Sequence, residues 1–207
     1  MIVPGASPSQ QVREIAVFDL DGTLTRRSTL APFLMQSVPR PRLLRALMRT
    51  APHLLAISTG AGSRQRAKEA LLSACFRGED QAAVERLAVR FAEDTMPALL
   101  RPEAMQRVEA HSRRGHLVVV ATASLELYVT AWALAAGFDA VVGTRLEVSA
   151  GRLTGRISGS NCRGSEKVRR LTELLGDLTA RTIHAYGDSA GDRAMLAAAT
   201  YAHYREF

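Results

Sequence analysis

The sequence predicts an α/β fold, in which a parallel sheet carries helices on both faces and an all-helical segment is inserted after the first strand. Two observations lead to this prediction. Apolar runs that read as buried strands alternate with helical periodicity from Arg113 onwards. Between the first two strands, by contrast, Arg26 to Met105 reads as helix throughout. The 207-residue chain is 47% hydrophobic and 23% charged, which are ordinary values for a globular protein.

The first predicted strand, Ile15 to Phe18, leads directly into two aspartates, Asp19 and Asp21. Because side chains alternate along a strand, both carboxylates are expected on the same side. Two carboxylates so close repel each other, and a divalent cation is the simplest way to hold them together. The alternative is a simple hairpin, since Asp-Gly is a common turn dipeptide.

The inserted segment is expected to be a series of helices, including 64–76 and 79–94. Breaks between helices are expected at prolines and glycines, namely Pro32, Pro39, Pro41, Pro52, Gly60, Gly62, Gly78, Pro97 and Pro102. A further helix over Arg40 to Ile57 interleaves leucines and a methionine with arginines. Such a helix either lies on anionic lipid headgroups or, as is more common, packs its apolar side chains inward with the arginines in water.

The second half of the chain alternates strands and helices. We expect first a strand over 116–124, a helix closed near Gly137 and a strand over 139–143. A hairpin over 145–157 is expected next, with its turn around Ala150-Gly151. A helix over 165–175 capped by Gly176, a strand over 181–186 and a helix over 193–199 are expected to follow. Little sequence follows, so the edge of the sheet is expected to be short.

Polar side chains follow three of these strands. They are Asp19 and Asp21, then Thr122 and Ser124, then Asp188 and Asp192. The carboxyl ends of parallel strands meet at one edge of the sheet, so these side chains can converge there. Lys167 lies near the start of a helix, after the loop 161–164, and is expected to join them.

Carboxylates, a hydroxyl and a lysine at one place suit phosphoryl transfer. Phosphate oxygens need positive charge and hydrogen-bond donors, which Mg²⁺, Lys167 and Thr122 can supply. Mg²⁺ binds few protein carboxylates together with water and substrate oxygens, which fits Asp19 and Asp188. Asp19 can then attack phosphorus to form an aspartyl phosphate, while Asp21 protonates the leaving alcohol and later activates water.

Four motifs in order resemble those of the haloacid dehalogenase superfamily of phosphatases. They are DLDGT at 19–23, Thr122 after VVVA, Lys167, and GDSAGD at 187–192. The resemblance implies a Rossmann-like core, Asp19 as nucleophile, and Mg²⁺ at Asp19, Asp21 and Asp188. It also implies that Thr122 and Lys167 bind phosphate, and Ser124 is the competing phosphate ligand or, alternatively, a helix cap. Supporting roles are implied for Asp192, Asn161, Gly187 and Ser189.

The insertion resembles the cap of the phosphoserine-phosphatase-like branch. The implied division is a flexible tail over 1–13, a catalytic core over 14–25 and 106–207, and a helical cap over 26–105. Such a cap closes over the site and selects the leaving group. Gly164 is expected to allow a close backbone approach. Two departures disfavour phosphoserine itself as substrate: the cap lacks an early glutamate pattern, and Gly22 stands where that group often has serine.

Charge and composition limit the remaining function classes. A net charge of +7 suits an anionic partner. The arginines lie without interleaved aromatics, so nucleic acid is not expected. The two cysteines are widely separated, so neither a cysteine-based zinc site nor a disulfide framework is expected. A single disulfide between them stays an alternative. The histidines show no paired spacing, and with Tyr128 and Trp132 they are assigned to packing or surface roles.

The resulting hypothesis is a Mg²⁺-dependent phosphomonoesterase. The basic, leucine-rich cap resembles that of bacterial relatives acting on phosphatidylglycerophosphate, so an anionic lipid phosphate is the first candidate substrate. Phosphoserine or another small phosphorylated metabolite is the alternative. A dehalogenase is disfavoured because a halide needs no proton from Asp21, and a binding module without turnover is the non-enzymatic alternative. Without a signal peptide or a spanning apolar run, a cytoplasmic location with peripheral membrane contact is expected; the oligomeric state is not predicted.

Overall fold

The computed structural model describes residues 14–58 and 62–207 of the chain. Within these ranges the strands are β1 (Ile15–Phe18), β2 (Leu117–Leu125), β3 (Ala140–Thr144), β4 (Leu146–Ser149), β5 (Arg152–Ile157), β6 (Ile183–Gly187) and β7 (Tyr201–Tyr204). The main sheet has the order β3-β2-β1-β6-β7, with every neighbouring pair parallel. The predicted α/β fold with a parallel sheet is therefore confirmed. The predicted tail over 1–13 and the predicted break at Gly60 lie outside the described residues.

Nine α-helices occur in the described ranges. They are α1 (Leu30–Ser37), α2 (Arg40–Ser58), α3 (Arg64–Phe76), α4 (Gln81–Asp94), α5 (Met96–Leu99), α6 (Pro102–Arg113), α7 (Glu126–Ala135), α8 (Ser165–Leu175) and α9 (Arg193–Ala197). The first six lie between β1 and β2, where the sequence predicts an inserted all-helical segment. The predicted boundary of the cap at residue 105 falls inside α6, which packs against β2, and the division into core and cap stays a prediction.

The sheet separates two apolar layers because its side chains alternate between faces. Ala16 and Phe18 of β1 join a large cluster with α6, α7 and the inserted helices. Ile15 and Val17 point to the other face and pack with residues of α8 and α9. Helices on both faces of a parallel sheet give three layers, and the carboxyl ends of the strands form one open edge.

The hairpin of β4 and β5 supports the inserted helices. Its turn occupies Ala150 and Gly151, with φ of 49° and 72°, as predicted from the sequence. In β5, Gly155 lies so close to α3 that a Cβ there would be 2.5 Å from the Cα of Ser73. Only glycine permits this approach. The hairpin thus positions α3 relative to the sheet.

Three of the predicted helix breaks are wrong. Pro32 and Pro41 lie in the first turns of α1 and α2, where the missing N–H would have had no helical partner. Pro52 lies inside α2, which continues through it to Ser58 with the loss of one backbone hydrogen bond. Proline is compatible with a helix at all three places, so the residue type alone did not identify an end.

The apolar residues of α2 do not all pack inward. Ala46 and Thr50 are buried, whereas Leu44 and Met48 are each 60% exposed and Leu47 is 45% exposed. The expectation that the leucine stripe packs into the core is therefore wrong for these three side chains. No helix in the described ranges is long and apolar enough to cross a membrane.

The remaining predictions for the second half of the chain agree with the structure. Helix α8 begins at Ser165 and ends before Gly176, as expected. A four-residue strand, β7, forms the short edge of the sheet beside β6. Both cysteines are free thiols, so the open alternative of a bridge is excluded.

Candidate active site

The loop that follows β1 brings the first motif against the end of β6. The backbone turns at Gly22, which has a φ of 95°. A Cβ at Gly22 would lie 2.3 Å from Oδ2 of Asp188. Gly22 therefore meets two demands, a left-handed backbone and close contact with the Asp188 carboxylate. The two motifs adjoin as the sequence predicts, and the turn is part of a site rather than of a simple hairpin.

A buried ion cluster joins the first, third and fourth motifs. Lys167 Nζ lies 2.5 Å from Asp19 Oδ1 and 2.6 Å from Asp192 Oδ1. All three residues are at most 6% exposed. Helix α8 carries Lys167 into this position after Gly164, whose φ is 63° and whose N–H donates to the Gly191 carbonyl at 2.8 Å. Nothing lies within 4 Å of a Cβ at Gly164, so backbone conformation, and not the expected close approach, favours glycine there.

The supporting residues of the fourth motif hold Asp192. The hydroxyl of Ser189 donates to Asp192 Oδ2 at 2.7 Å, and the Ser189 N–H donates to the same oxygen at 3.0 Å. A Cβ at Gly187 would lie 2.6 Å from the Asp192 Cβ, so this position also favours glycine. Asp192 thus has one oxygen on Lys167 and the other on Ser189.

The charges of this cluster are unbalanced. Burial raises the pKa of Asp19 to about 7, and Asp192 contributes to this rise while Lys167 opposes it. Burial likewise raises the pKa of Asp188, with a further contribution from Asp192. Burial disfavours the charge of Lys167, but Asp19 and Asp192 outweigh it and raise the pKa of the lysine. One lysine therefore faces three carboxylates, and an additional cation would stabilise the ionised cluster.

The residues present fit a divalent cation. Oxygens of Asp19, Asp188 and Asp192 all lie within 4.8 Å of one another. Asp188 Oδ1 is buried and has no hydrogen-bond partner, which leaves a lone pair available for a ligand. Carboxylate oxygens are the ligands that Mg²⁺ prefers. The carboxylate of Asp21, which the resemblance also assigned to the metal, is not part of this group.

The carboxylate of Asp21 is instead held by Thr29, which immediately precedes α1, and by Ser124 of β2. Asp21 Oδ1 accepts from the N–H of Thr29 at 2.8 Å and from its hydroxyl at 2.7 Å. Asp21 Oδ2 accepts from the Ser124 hydroxyl at 2.6 Å. The hydroxyl of Tyr128 lies 2.9 Å from Thr29 Oγ1 and can donate to it, since the Thr29 proton is directed to Asp21. Asp21 is thus fixed by three donors.

The two hydroxyl residues of β2 have different surroundings. Thr122 is buried, and its Oγ1 accepts from the Ser124 N–H at 2.9 Å. The pairing of β2 with β3 is irregular between Ala121 and Leu125, the segment that carries both hydroxyl residues. Ser124 contacts Asp21, whereas the sequence assigned it to phosphate. Tyr128 both packs against Phe91, with ring centroids 5.2 Å apart, and joins the Asp21 network, so its assignment to packing alone was incomplete.

A second lysine, which the sequence analysis did not identify, reaches the site from the inserted helix α3. Lys68 of α3 donates to the Ala123 carbonyl and, at 2.9 Å, to Asn161 Oδ1. Asn161 also accepts from the Thr144 hydroxyl at 2.9 Å. Burial lowers the pKa of Lys68 to about 8, with Asp21 opposing this shift. No carboxylate lies within ion-pair distance of Lys68 among the residues described.

The scarcity of lysine among the basic residues could have identified Lys68 as a candidate site residue. The chain contains 27 basic residues, yet Lys68 and Lys167 are its only lysines. Arginine supplies every other basic side chain, and the structure places both lysines at the same site. A compact, flexible ammonium is suited to such a place. By contrast, no local sequence pattern distinguishes Thr29.

Comparisons with known proteins show which family and which fold this chain resembles. A family model described as haloacid dehalogenase-like hydrolase matches residues 16–197. Protein CicA of Caulobacter vibrioides is 38% identical over 194 residues, covering 93% of this chain and 86% of that protein. A probable phosphatase of Mycobacterium tuberculosis is 31% identical, covering 96% of this chain and 70% of that protein. The solved structure of phosphoserine phosphatase from T. onnurineus shares the fold with a TM-score of 0.61 at 22% identity, covering 97% of this chain and 87% of that one.

Proposed function

Because the chain belongs to the haloacid dehalogenase-like hydrolase family, we propose that it is a Mg²⁺-dependent phosphomonoester hydrolase that acts through an aspartyl phosphate on Asp19. The observation that carries this proposal is the position of the Asp19 carboxylate, which contacts Lys167 and lies in one cluster with Asp188 and Asp192. The name of the Mycobacterium tuberculosis relative also supports a phosphatase.

The proposed first step is attack of an Asp19 oxygen on phosphorus. A P–O bond to Asp19 forms as the bond from phosphorus to the ester oxygen breaks. Lys167 and the segment around Thr122 bind phosphate oxygens and stabilise their negative charge. When bound at Asp19 and Asp188, Mg²⁺ supplies positive charge that offsets the repulsion between carboxylates and phosphate.

Asp21 is proposed to move the protons of both steps. It donates a proton to the departing alkoxide, and it then accepts a proton from the water that attacks phosphorus and releases phosphate from Asp19. Thr29 and Ser124 act as positioning residues, because their hydrogen bonds hold the Asp21 carboxylate next to the site. Free rotation of Asp21 would reduce the fraction of productive geometries.

We further propose that Lys68 binds an anionic group of the substrate. It is a partly buried cation whose described partners are neutral oxygens. Burying a charge without a counter-ion is unfavourable, and an anionic ligand would relieve this. Because Lys68 belongs to the cap helix α3, it would contribute to binding only when the cap is closed over the core.

An anionic lipid phosphate, such as phosphatidylglycerophosphate, is the substrate we propose. Helix α2 exposes Leu44, Leu47 and Met48, and the arginines at 40, 45 and 49 are exposed along the same helix. Exposed apolar side chains beside arginines match a membrane surface with anionic headgroups. Peripheral contact through α2 would bring the cap, and the site beneath it, to the lipid.

The proposal is tested by phosphate release from phosphatidylglycerophosphate in mixed micelles, phosphoserine, sugar phosphates and nucleotides, each with Mg²⁺ and with a chelator. Mg²⁺-dependent turnover concentrated on the lipid supports the whole proposal. Turnover of only phosphoserine or other small esters would support the proposed phosphatase activity and would contradict the proposed lipid substrate. Absence of turnover with any ester would instead favour a binding module.

Membrane contact is tested separately by co-sedimentation with vesicles of phosphatidylglycerol. We expect the double variant Leu44→Glu, Met48→Glu to lose binding, since it introduces two negative charges into the apolar surface. Val89→Glu on α4 is the matched control, because Val89 is also exposed but lies on another helix. Equal binding by the double variant and the control would contradict contact through α2.

A further inference from the structure

Four of the five histidines of this chain lie close together. Two of them, His116 and His184, lie near the starts of their strands, at the edge of the sheet opposite to the active site, whereas His203 is paired with Tyr186 nearer the other end. His116 immediately precedes β2, His184 lies in β6, His111 lies in the last turn of α6, and His203 lies in β7. Ring contacts join them, with centroids of His111 and His116 5.0 Å apart and those of His111 and His184 4.9 Å apart. The phosphatase mechanism uses none of them.

A glutamate completes this group. Glu14 precedes β1 and is aligned with His116, because the parallel register pairs Ile15 with Leu117. Glu14 Oε2 lies 3.0 Å from His184 Nε2 and 3.6 Å from His116 Nε2. The potential ligand atoms of Glu14, His116 and His184 all lie within 4.8 Å of one another.

We propose that Glu14, His116 and His184 form a second metal site, specific for Zn²⁺ or a chemically similar transition ion. Two imidazoles and one carboxylate are a ligand set that Zn²⁺ uses with a water molecule in the fourth position. Ligand bonds of about 2.0–2.1 Å in a tetrahedron place neighbouring ligand atoms about 3.3 Å apart. The two distances from Glu14 to the histidines are close to this value, and the ligand nitrogens of the two histidines lie within 4.8 Å of each other.

The surroundings prepare His116 for this role. Its Nδ1 lies 3.0 Å from His111 Nδ1, and His111 Nε2 lies 2.8 Å from the Tyr186 hydroxyl. In one consistent arrangement, His116 Nδ1–H donates to His111 Nδ1, and His111 Nε2–H donates to the Tyr186 hydroxyl. In this tautomer Nε2 of His116 carries no proton, so its lone pair faces Glu14. Ligating histidines commonly have such a partner at the other ring nitrogen. The ring of His184 is held by stacking on Tyr201, with centroids 4.6 Å apart.

Accessibility also suits a metal site. His184 Nε2 and Glu14 Oε2 are within hydrogen-bond distance, and binding of the ion would displace the proton that this hydrogen bond holds. The Glu14 side chain is 45% exposed, so an ion can enter from solvent.

This site is separate from the phosphoryl site. Asp19 follows Glu14 at a separation of five positions in extended chain, which corresponds to about 16 Å. The ligands come from the starts of β1, β2 and β6, so a bound ion would link three neighbouring strands. We therefore expect the ion to stabilise the fold and not to take part in phosphate chemistry.

The proposal is tested with Co²⁺, whose visible absorption reports its ligands, added to protein saturated with Mg²⁺. We expect one Co²⁺ per chain, displaced by Zn²⁺, with affinity reduced by at least about tenfold in Glu14→Gln and His184→Gln. His53→Gln is the matched control, because His53 is exposed on α2. Asp188→Asn is expected to retain the signal, since it alters only the phosphoryl site.

Thermal unfolding gives an independent readout. Zn²⁺ should raise the unfolding temperature of the wild type and of His53→Gln, but not that of Glu14→Gln. Glu14→Gln changes a half-exposed side chain, so its folding is readily checked by its circular dichroism without metal. Failure to bind Co²⁺ in excess Mg²⁺, or unchanged binding in Glu14→Gln and His184→Gln, would overturn the proposal. Loss of the signal in Asp188→Asn alone would also overturn it, by assigning the ion to the phosphoryl site.

Discussion

The ammonium of Lys167 lies 2.5 Å from the carboxylate of Asp19, and both side chains are almost completely buried. The same nitrogen contacts Asp192 at 2.6 Å, so one lysine partly neutralises two carboxylates. This arrangement leaves the second oxygen of Asp19 without a contact to Lys167. It links residues that are 148 positions apart in the chain, and it therefore depends on the whole core being folded.

Replacement of Lys167 should reduce stability. Lys167→Met leaves Asp19 and Asp192 buried without their cation, and breaking such a pair is expected to lower the free energy of unfolding by about 3–5 kcal/mol. Urea unfolding in a chelator measures this loss, and Mg²⁺ should restore part of it. Asp94→Asn, an exposed carboxylate on α4, is the control for a general effect of charge. A loss below about 1 kcal/mol would contradict the importance of this ion cluster.

The proposed nucleophile is tested by Asp19→Asn. This change removes the carboxylate oxygen that is proposed to attack phosphorus, and we expect turnover to fall by at least about 10³-fold, because the other groups of the site cannot replace a nucleophile. Steady-state phosphate release measures the effect, and circular dichroism verifies the fold. Substantial remaining turnover in the purified variant would show that another group attacks phosphorus.

Ser124 distinguishes a positioning role from phosphate binding. Its hydroxyl donates to Asp21 at 2.6 Å, so Ser124→Ala should lower kcat by roughly tenfold with little change in KM. A phosphate ligand would instead raise KM. Ser112→Ala, an exposed serine of α6, serves as the control, and an effect confined to KM would support the original assignment to phosphate.

Lys68 should give KM a characteristic pH dependence. Because burial lowers its pKa to about 8, Lys68 is charged below this pH and loses its charge as the pH rises through it. KM for an anionic substrate should therefore increase several-fold between about pH 7 and pH 9. Lys68→Arg keeps its charge, so its KM should not show this increase.

The control for Lys68 is Arg66→Met, an exposed position on the same helix. It should behave like the wild type at each pH. If Lys68→Met has the same KM as the wild type at pH 7, then the lysine connects the cap to the core without binding substrate.

Asp188 tests the metal requirement. Its Oδ1 is buried without a partner, so Asp188→Asn should retain the fold but require at least about tenfold more Mg²⁺ for half-maximal turnover. The measurement is activity as a function of Mg²⁺ concentration, with chelator abolishing the wild-type reaction. An unchanged Mg²⁺ dependence would exclude Asp188 as a ligand.

Local sequence patterns were sufficient to predict most of the fold. Strand β1 was identified by four apolar residues before Asp19, and α8 by its periodicity before Gly176. The strands then placed Asp19, Asp188 and Asp192 at one edge, because parallel strands end together. These predictions depend only on neighbouring residues and on a general rule of sheet topology.

Other long-range relationships were not predicted. Thr29 and Lys68 reach the site through the packing of the inserted segment between β1 and β2, and no spacing in the sequence records that packing. The same holds for Glu14, His116 and His184, which meet only through the register of three strands. Ser124 was recognised as part of the site, but its partner Asp21 depends on an irregularity in β2.

The most direct test of the account is chemical trapping of the intermediate on Asp19. The protein is mixed with Mg²⁺ and a phosphomonoester that it hydrolyses, and the reaction is quenched in acid during turnover. The quenched protein is then reduced with borohydride and analysed by peptide mass spectrometry. The account predicts conversion of Asp19, and not of Asp21, to homoserine, and no conversion without substrate. Sustained turnover without reduction of Asp19, or reduction at another carboxylate, would contradict the account.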